Sequence, residues 1–180
     1  MLEGKLVNLR VAEKGDIDFQ VEFNNDIDSW GEYDSAQQMS KSEMIKLFDN
    51  LLAAPIDFRV FIIQKKDGTK IGDIHYRFVH PCRWMEIVYA LIPSERGKGY
   101  GTEAIQLVVD YLFLSKDLVR IQAITDVRNK TSQRVLEKAG FQREGTIRRC
   151  VFDRGKWRDW YLYSILREEW KEPKILTKTA

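Results

Sequence analysis

The chain has 180 residues, 44% of them hydrophobic and five of them Trp, enough apolar surface to pack the core of one domain. A formal net charge of +2 is close to neutral, no apolar stretch approaches the about 18 residues of a membrane span, and Met1-Leu2-Glu3-Gly4 lacks the basic-then-apolar plan of a signal peptide. Membrane and secreted classes are set aside on these grounds, and a cytoplasmic protein is expected.

Alternating apolar residues predict a strand over residues 5–11, then helices over 16–24 and 41–53 joined by an irregular acidic connector. Strands over 58–64 and 70–78 flank Asp67-Gly68, a hairpin turn, and a third apolar run over 84–92 stops at Pro93. Ile105, Val108, Val109 and Leu112 recur at helical spacing, so a helix with one buried face is expected over 102–114. A strand follows over 118–125, and Asn129 then caps a helix that runs to Lys138 and closes at Gly140. Residues 145–152 and 157–166 surround Asp153-Arg154-Gly155-Lys156 as a last hairpin, whose Trp157 and Trp160 offer an exposed surface for a homodimer. One domain over 1–170 with a polar tail over 171–180 is expected, of mixed α+β class and without the strict alternation of a doubly wound dinucleotide fold.

Charge is unevenly spread. Glu13, Asp16, Asp18, Glu22, Asp26, Asp28, Glu32 and Asp34 stand against Lys14 alone, whereas Arg128, Lys130, Arg134, Lys138, Arg143, Arg148, Arg149, Arg154, Lys156 and Arg158 face only Glu137, Glu144 and Asp153. The basic segment lacks the aromatic interleaving and recognition helix of a nucleic-acid binder, so no nucleic-acid partner is expected. Cys82 and Cys150 have no Cys-x-x-Cys spacing, and His75 and His80 lack companions for a metal constellation; no metal is expected.

The most telling segment is Glu95-Arg96-Gly97-Lys98-Gly99-Tyr100-Gly101-Thr102, between the third strand and the following helix. Glycines remove the side chains that keep an anion off the backbone, and a helix start adds unpaired N–H groups with a partial positive charge. A ligand carrying phosphates is expected. The spacing fits neither Gly-x-x-x-x-Gly-Lys-Ser/Thr nor Gly-x-Gly-x-x-Gly.

Arg96-x-x-Gly99-x-Gly101 resembles the acetyl-coenzyme A signature of the GCN5-related N-acetyltransferase (GNAT) superfamily, Gln/Arg-x-x-Gly-x-Gly/Ala. Asn129-x-x-Ser132, Glu137-Lys138-Ala139-Gly140-Phe141 and Gly155-Lys156-Trp157-x-Asp159 are similar to its ribosomal-protein N-acetyltransferase-like (RimJ/RimL-like) branch. The resemblance implies a central, mostly antiparallel twisted sheet of about seven strands with helices on both faces. It implies acetyl-CoA as cosubstrate, its diphosphate on the backbone of Gly97, Lys98, Gly99, Tyr100, Gly101 and Thr102, with Arg96 among the cofactor-binding residues and Lys98 as a nearby point charge. Backbone groups of Leu91 and Ile92, together with the Asn129 side chain, would pair with the pantetheine arm.

Acetyl transfer to an amine needs a neutral nucleophile, a polarised carbonyl and a proton for the thiolate. Glu86, the sole acid of its strand, is the expected base, with Asp73 and His75 as substitutes if the sheet aims it away. Many members of the family that the chain resembles place a tyrosine acid where it has Leu136, so Ser132 becomes the candidate near the sulfur, alongside water or no acid at all. Asp26, Asp28, Glu32 and Asp34 favour a cationic amine acceptor, on which Trp30 and Tyr33 could stack: a peptide N-terminus, a polyamine or an aminoglycoside. A coenzyme A-binding sensor without turnover is the alternative.

Overall fold

The computed structural model describes residues 1–33, 38–53, 58–79, 84–171 and 173, with the side chains of 30 and 51–53 excepted. Asp34, His80, Cys82, the Trp30 side chain and most of the expected polar tail therefore lie outside the described residues.

The chain opens with β1 (Leu2–Glu3) and β2 (Val7–Val11), followed by α1 (Ile17–Asn25), α2 (Ile27–Trp30) and α3 (Lys41–Ala53). Then come β3 (Phe58–Lys65), β4 (Lys70–Val79), β5 (Trp84–Leu91), α4 (Tyr100–Ser115) and β6 (Arg120–Asp126). The chain ends with α5 (Lys130–Lys138), β7 (Gln142–Asp153) and β8 (Lys156–Leu166). The α+β expectation holds, but among the described residues the sheet has eight strands, in the order β1-β2-β3-β4-β5-β6-β8-β7.

The extra strand has a local cause. Gly4 N–H bonds Val7 O at 2.9 Å and turns the chain, while the Glu103 carboxylate accepts the N–H groups of Lys5, Leu6 and Val7 at 2.7 to 2.8 Å. Residues 5–6 are thus spent on an anion-holding turn, β2 begins at Val7, and Leu2–Glu3 folds back beside it. The acidic connector contributes another element that periodicity cannot reveal, the single turn α2, capped by Asp26 through Asp28 N–H at 3.1 Å.

Strand alternation sorts the two faces. Ile74, Tyr76, Met85 and Ile87 join Ala104, Ile105, Leu107, Val108 and Leu112 of α4 in one buried cluster, all 2% exposed or less. The opposite parity, Asp73, His75, Arg77, Glu86, Val88 and Ala90, faces the other way, where Gln20 of α1 reaches Asp73. Helices therefore cover both faces of the sheet.

All neighbouring strands are antiparallel except β5 and β6, which run parallel and pair only at Met85↔Ile121 and Glu86↔Gln122. β5 continues five residues beyond Glu86, about 16 Å at ~3.3 Å per residue, while β6 turns to pair with β8 along Arg120–Asp126. A wedge-shaped gap opens between them, with the glycine loop at its mouth. In the last hairpin, Trp157 (59% exposed) stacks edge-on with Phe152 (57%) at 5.5 Å, while Trp160 is half-buried; the exposed aromatic pair is Phe152 and Trp157 rather than the two tryptophans expected.

Candidate functional site

After β5 the chain makes one tight turn over Pro93–Glu95 and enters the glycine loop. Gly97 and Gly99 have φ of 77° and 87°, a left-handed conformation that side chains disfavour, and Gly99 is the N-cap of α4. Among the described residues no hydrogen bond engages the N–H groups of Gly97, Lys98, Gly99, Tyr100, Gly101 or Thr102, and Gly97 to Gly99 are exposed. Six successive donors at the start of a 16-residue helix form an anion cradle. Lys98 stands beside it, its ammonium 2.8 Å from Glu95 and its pKa raised by that contact.

Arg96 departs from expectation. Its N–H bonds Pro93 O at 3.2 Å, and its guanidinium turns from the cradle to Leu91 O (2.9 Å), Asp28 O (3.4 Å) and Ser29 O. It braces the glycine loop against β5 and α2.

The gap-facing edge of β5 is set by register. Ile92 N–H bonds Ile71 O at 2.9 Å, so alternation turns the backbone of Ala90 and Ile92 toward β4 and that of Leu91 toward the gap. Ile92 O accepts from Glu95 N–H at 3.1 Å, and the Ile92 N–H, spent on β4, is not offered to a pantetheine arm. That expectation is corrected: Leu91, whose carbonyl already takes Arg96, retains its N–H on the gap side.

Across the gap, Asn129 Oδ1 accepts Ser132 N–H at 2.9 Å and caps α5, with its amide nitrogen left to point elsewhere. Ser132 Oγ lies 2.8 Å from the Tyr89 hydroxyl, so a strand and a helix on opposite walls of the wedge meet in a pair of hydroxyls. Leu136, fully buried, belongs to the core. Tyr89 is the residue that sequence reasoning missed; the one available signal was its parity with Leu91 on β5.

The other face contradicts the expected base. Glu86 is 4% exposed and sits at the closed end of the wedge, where Oε1 accepts from Arg77 and Oε2 from Gln122 Nε2 at 2.8 Å. Both oxygens are committed, and Glu86 serves to lock β4, β5 and β6 together. Asp73, opposite Ala90 beside the open part of β5, accepts a hydrogen bond from Gln20 Nε2 at 3.1 Å. Burial pushes its pKa up to about 6, against the Gln20 hydrogen bond. By surface area it is half-buried. His75 is lowered to about 4, first by burial and then by the Arg77 charge, so it is neutral near pH 7.

The acidic connector lies on the β5 side, where α2 packs against that strand. The Asp26 carboxyl is held below its usual range chiefly by the Ser29 hydroxyl, 2.7 Å away, so it stays ionised. Tyr33 already carries a cation, Arg128, 5.4 Å from its ring centre. Among the described residues no cluster of three or more His, Cys, Asp or Glu is arranged to hold a metal, and no helix is long and apolar enough to cross a membrane.

Comparison with known proteins bears on this geometry. The sequence profile of the acetyltransferase (GNAT) domain matches residues 7–142. The uncharacterized N-acetyltransferase YnaD of Bacillus subtilis is 35% identical over 109 residues, spanning 61% of this chain and 64% of that relative. The spermidine N(1)-acetyltransferase of Vibrio cholerae is 25% identical over 167 residues, 91% of this chain and 95% of that one. Among solved structures, Mycobacterium smegmatis RimJ in complex with CoA-disulfide shares 25% identity and a TM-score of 0.82, covering 93% of this chain and 85% of its own.

Proposed function

Since the chain belongs to the acetyltransferase (GNAT) domain family, matched over residues 7–142, we propose that it moves an acetyl group from acetyl-coenzyme A directly to a primary amine. The observation that carries this reading is the row of unengaged N–H groups from Gly97 to Thr102 at the mouth of a wedge between two parallel strands. Diphosphate oxygens suit those donors, and Lys98 adds a cation beside them.

Acetyl-coenzyme A supplies the activated acyl group; the chain's own residues bind, orient and manage protons. Leu91 N–H, on the gap side of β5, donates to the pantetheine arm or polarises the thioester carbonyl. Asn129 Nδ2 adds a donor from the α5 side. Asp73 takes a proton from the acceptor ammonium at its carboxylate, which its raised pKa suits for work near neutral pH, while Gln20 fixes its orientation. The Tyr89 and Ser132 hydroxyls, 2.8 Å apart, return a proton to the departing thiolate.

For the acceptor, Asp26, Asp28 and Glu32 of the acidic connector favour a cationic amine. A polyamine, a peptide N-terminus and an aminoglycoside all satisfy that chemistry, and the Vibrio cholerae relative acts on spermidine. Leu136, buried in the core at the position where the family resemblance leads one to expect a tyrosine acid, favours a second reading, a coenzyme A sensor without turnover. Incubation with acetyl-coenzyme A and a panel of spermidine, N-terminal peptides and an aminoglycoside, followed by free-thiol detection, separates the two. Amine-dependent thiol release is expected; binding without release supports the sensor, and absence of binding overturns both.

A further inference from the structure

Three arginines from separate elements converge on four carbonyls of one short segment, residues 28–32. Arg96 of the glycine loop donates to Asp28 O and Ser29 O, Arg154 of the last hairpin to Gly31 O at 2.6 Å, and Arg128 before α5 to Glu32 O at 3.4 Å. The recipients have a shared need. α2 is a single turn, too short to be stable alone, and among the described residues its C-terminal carbonyls lack intrahelical donors beyond the Gly31 N–H bond to Ile27 O. Arginine forks satisfy them from outside, and Arg128 is itself held by Asp126 at 2.7 to 2.9 Å.

Arg96 differs from the other two in what else it holds. Its Nε bonds Leu91 O at 2.9 Å, on the gap-side edge of β5, and its next neighbour in sequence is the first glycine of the cradle. One guanidinium thus joins the strand edge that lines the cofactor gap to the turn of the acidic connector. A displacement of either is felt by the other. Resting on the reading above, we infer that Arg96 is a positioning residue that couples coenzyme A binding to order in the acceptor-side segment 26–33, and so to acceptor affinity. Linkage makes the coupling reciprocal: what coenzyme A does for the segment, an acceptor does for coenzyme A.

The test is hydrogen exchange on the full chain, with and without coenzyme A, in wild type and Arg96→Gln. Gln is an alternative residue in the family signature at this position and reaches Leu91 O without spanning to Ser29. Amides of 27–33 are expected to exchange about tenfold faster in Arg96→Gln than in wild type, the scale of one charge-assisted hydrogen bond. Wild-type protection there should rise on adding coenzyme A and fail to rise in the variant, while calorimetric Kd for coenzyme A stays within about twofold. With spermidine or an N-terminal peptide as acceptor, KM should rise about tenfold with kcat changed far less. Unchanged exchange in 27–33 overturns the inference, as does a coenzyme A affinity loss of about tenfold with that exchange intact, which would put the guanidinium on a phosphate. Should Arg96→Gln not fold, Arg96→Lys keeps the charge without the fork and is read the same way. Failure of wild type to bind coenzyme A would defeat the proposed function, while the ligand-free exchange of 27–33 would still decide whether Arg96 orders the segment.

Discussion

Replacing Gly99 with Val isolates the cradle from the fold. Gly99 sits at φ 87°, and a Cβ there would lie 3.3 Å from Leu6 Cδ1, the yielding tip of a side chain. Steric cost is therefore small and backbone cost dominates, about 1–2 kcal/mol for a side chain held in the left-handed region. For a chain of this size each kcal/mol moves Tm by about 2–4 °C, so the variant should melt roughly 2–8 °C lower and remain folded at 25 °C. Binding should suffer more. Relaxation of the turn to negative φ pulls the N–H groups of Gly97 to Gly99 out of line with those of α4, and loss of two charge-assisted hydrogen bonds at ~1.5 kcal/mol each weakens binding by about 100-fold. Calorimetric titration with coenzyme A, paired with thermal melts, measures both. Gly101→Ala is the control, because its Cβ would rest at an ordinary 3.6 Å from Leu91 Cδ1 and 3.7 Å from Val135 Cγ1, and its affinity should be unchanged. A Gly99→Val protein that melts lower yet binds within twofold of wild type would refute the reasoning.

Asp73→Asn should lower kcat/KM by about 100-fold or more and abolish the loss of rate that wild type shows as pH falls through about 6. Because the folded pKa of Asp73 is raised, its ionised form costs stability above the unfolded value, so the same substitution should raise Tm at pH 7.5; a pH profile unchanged from wild type removes Asp73 from the chemistry. Glu86→Gln should retain kcat/KM within about twofold across pH while lowering Tm, since its carboxylate ties Arg77 to Gln122; a collapse in rate with intact stability would restore it as the base. Burial works to raise the Asp16 pKa, but hydrogen bonds from Arg10, Lys70 and Glu13 N–H hold it down at about 2, against 3.8 unperturbed. A depressed carboxyl contributes stability above its unfolded pKa, here about 2 kcal/mol, lost as pH falls from about 4 to 2. Acid titration of wild type beside Asp16→Asn should show that component vanish, and parallel acid transitions would disprove it.

The parts of the site that sequence revealed are those written in local spacing. Gly97, Gly99 and Gly101 announce a cradle because positive φ and backbone access are properties of single residues, and the Asn129 cap needs only its own helix. Glu86 misled because its partners lie elsewhere: Arg77 is nine residues away on β4 and Gln122 is 36 away on β6, and only the register brings them together. Ile92 misled for a similar reason, since the direction of its N–H depends on the pairing of β5 with β4, which no local pattern records. The Tyr89–Ser132 contact spans 43 residues, and the arginine contacts to residues 28–32 span from 67 to 123. Such contacts follow from closing a sheet around a splayed strand pair, and periodicity is blind to them. Short elements were lost as well: β1 and α2, two and four residues long, fall below any periodic signal and exist because Glu103, Asp26 and the arginines hold them.

The central claim is that the main chain from Gly97 to Thr102 grips a diphosphate. Amide resonances followed during titration of the nitrogen-15-labelled wild-type chain with coenzyme A measure that directly. The account predicts that Gly97, Lys98, Gly99, Tyr100, Gly101 and Thr102 show the largest N–H shifts and saturate together with the calorimetric Kd. Saturable binding that leaves those six amides in place, with shifts gathered instead around the basic residues Arg143, Arg148 and Lys156, would contradict it.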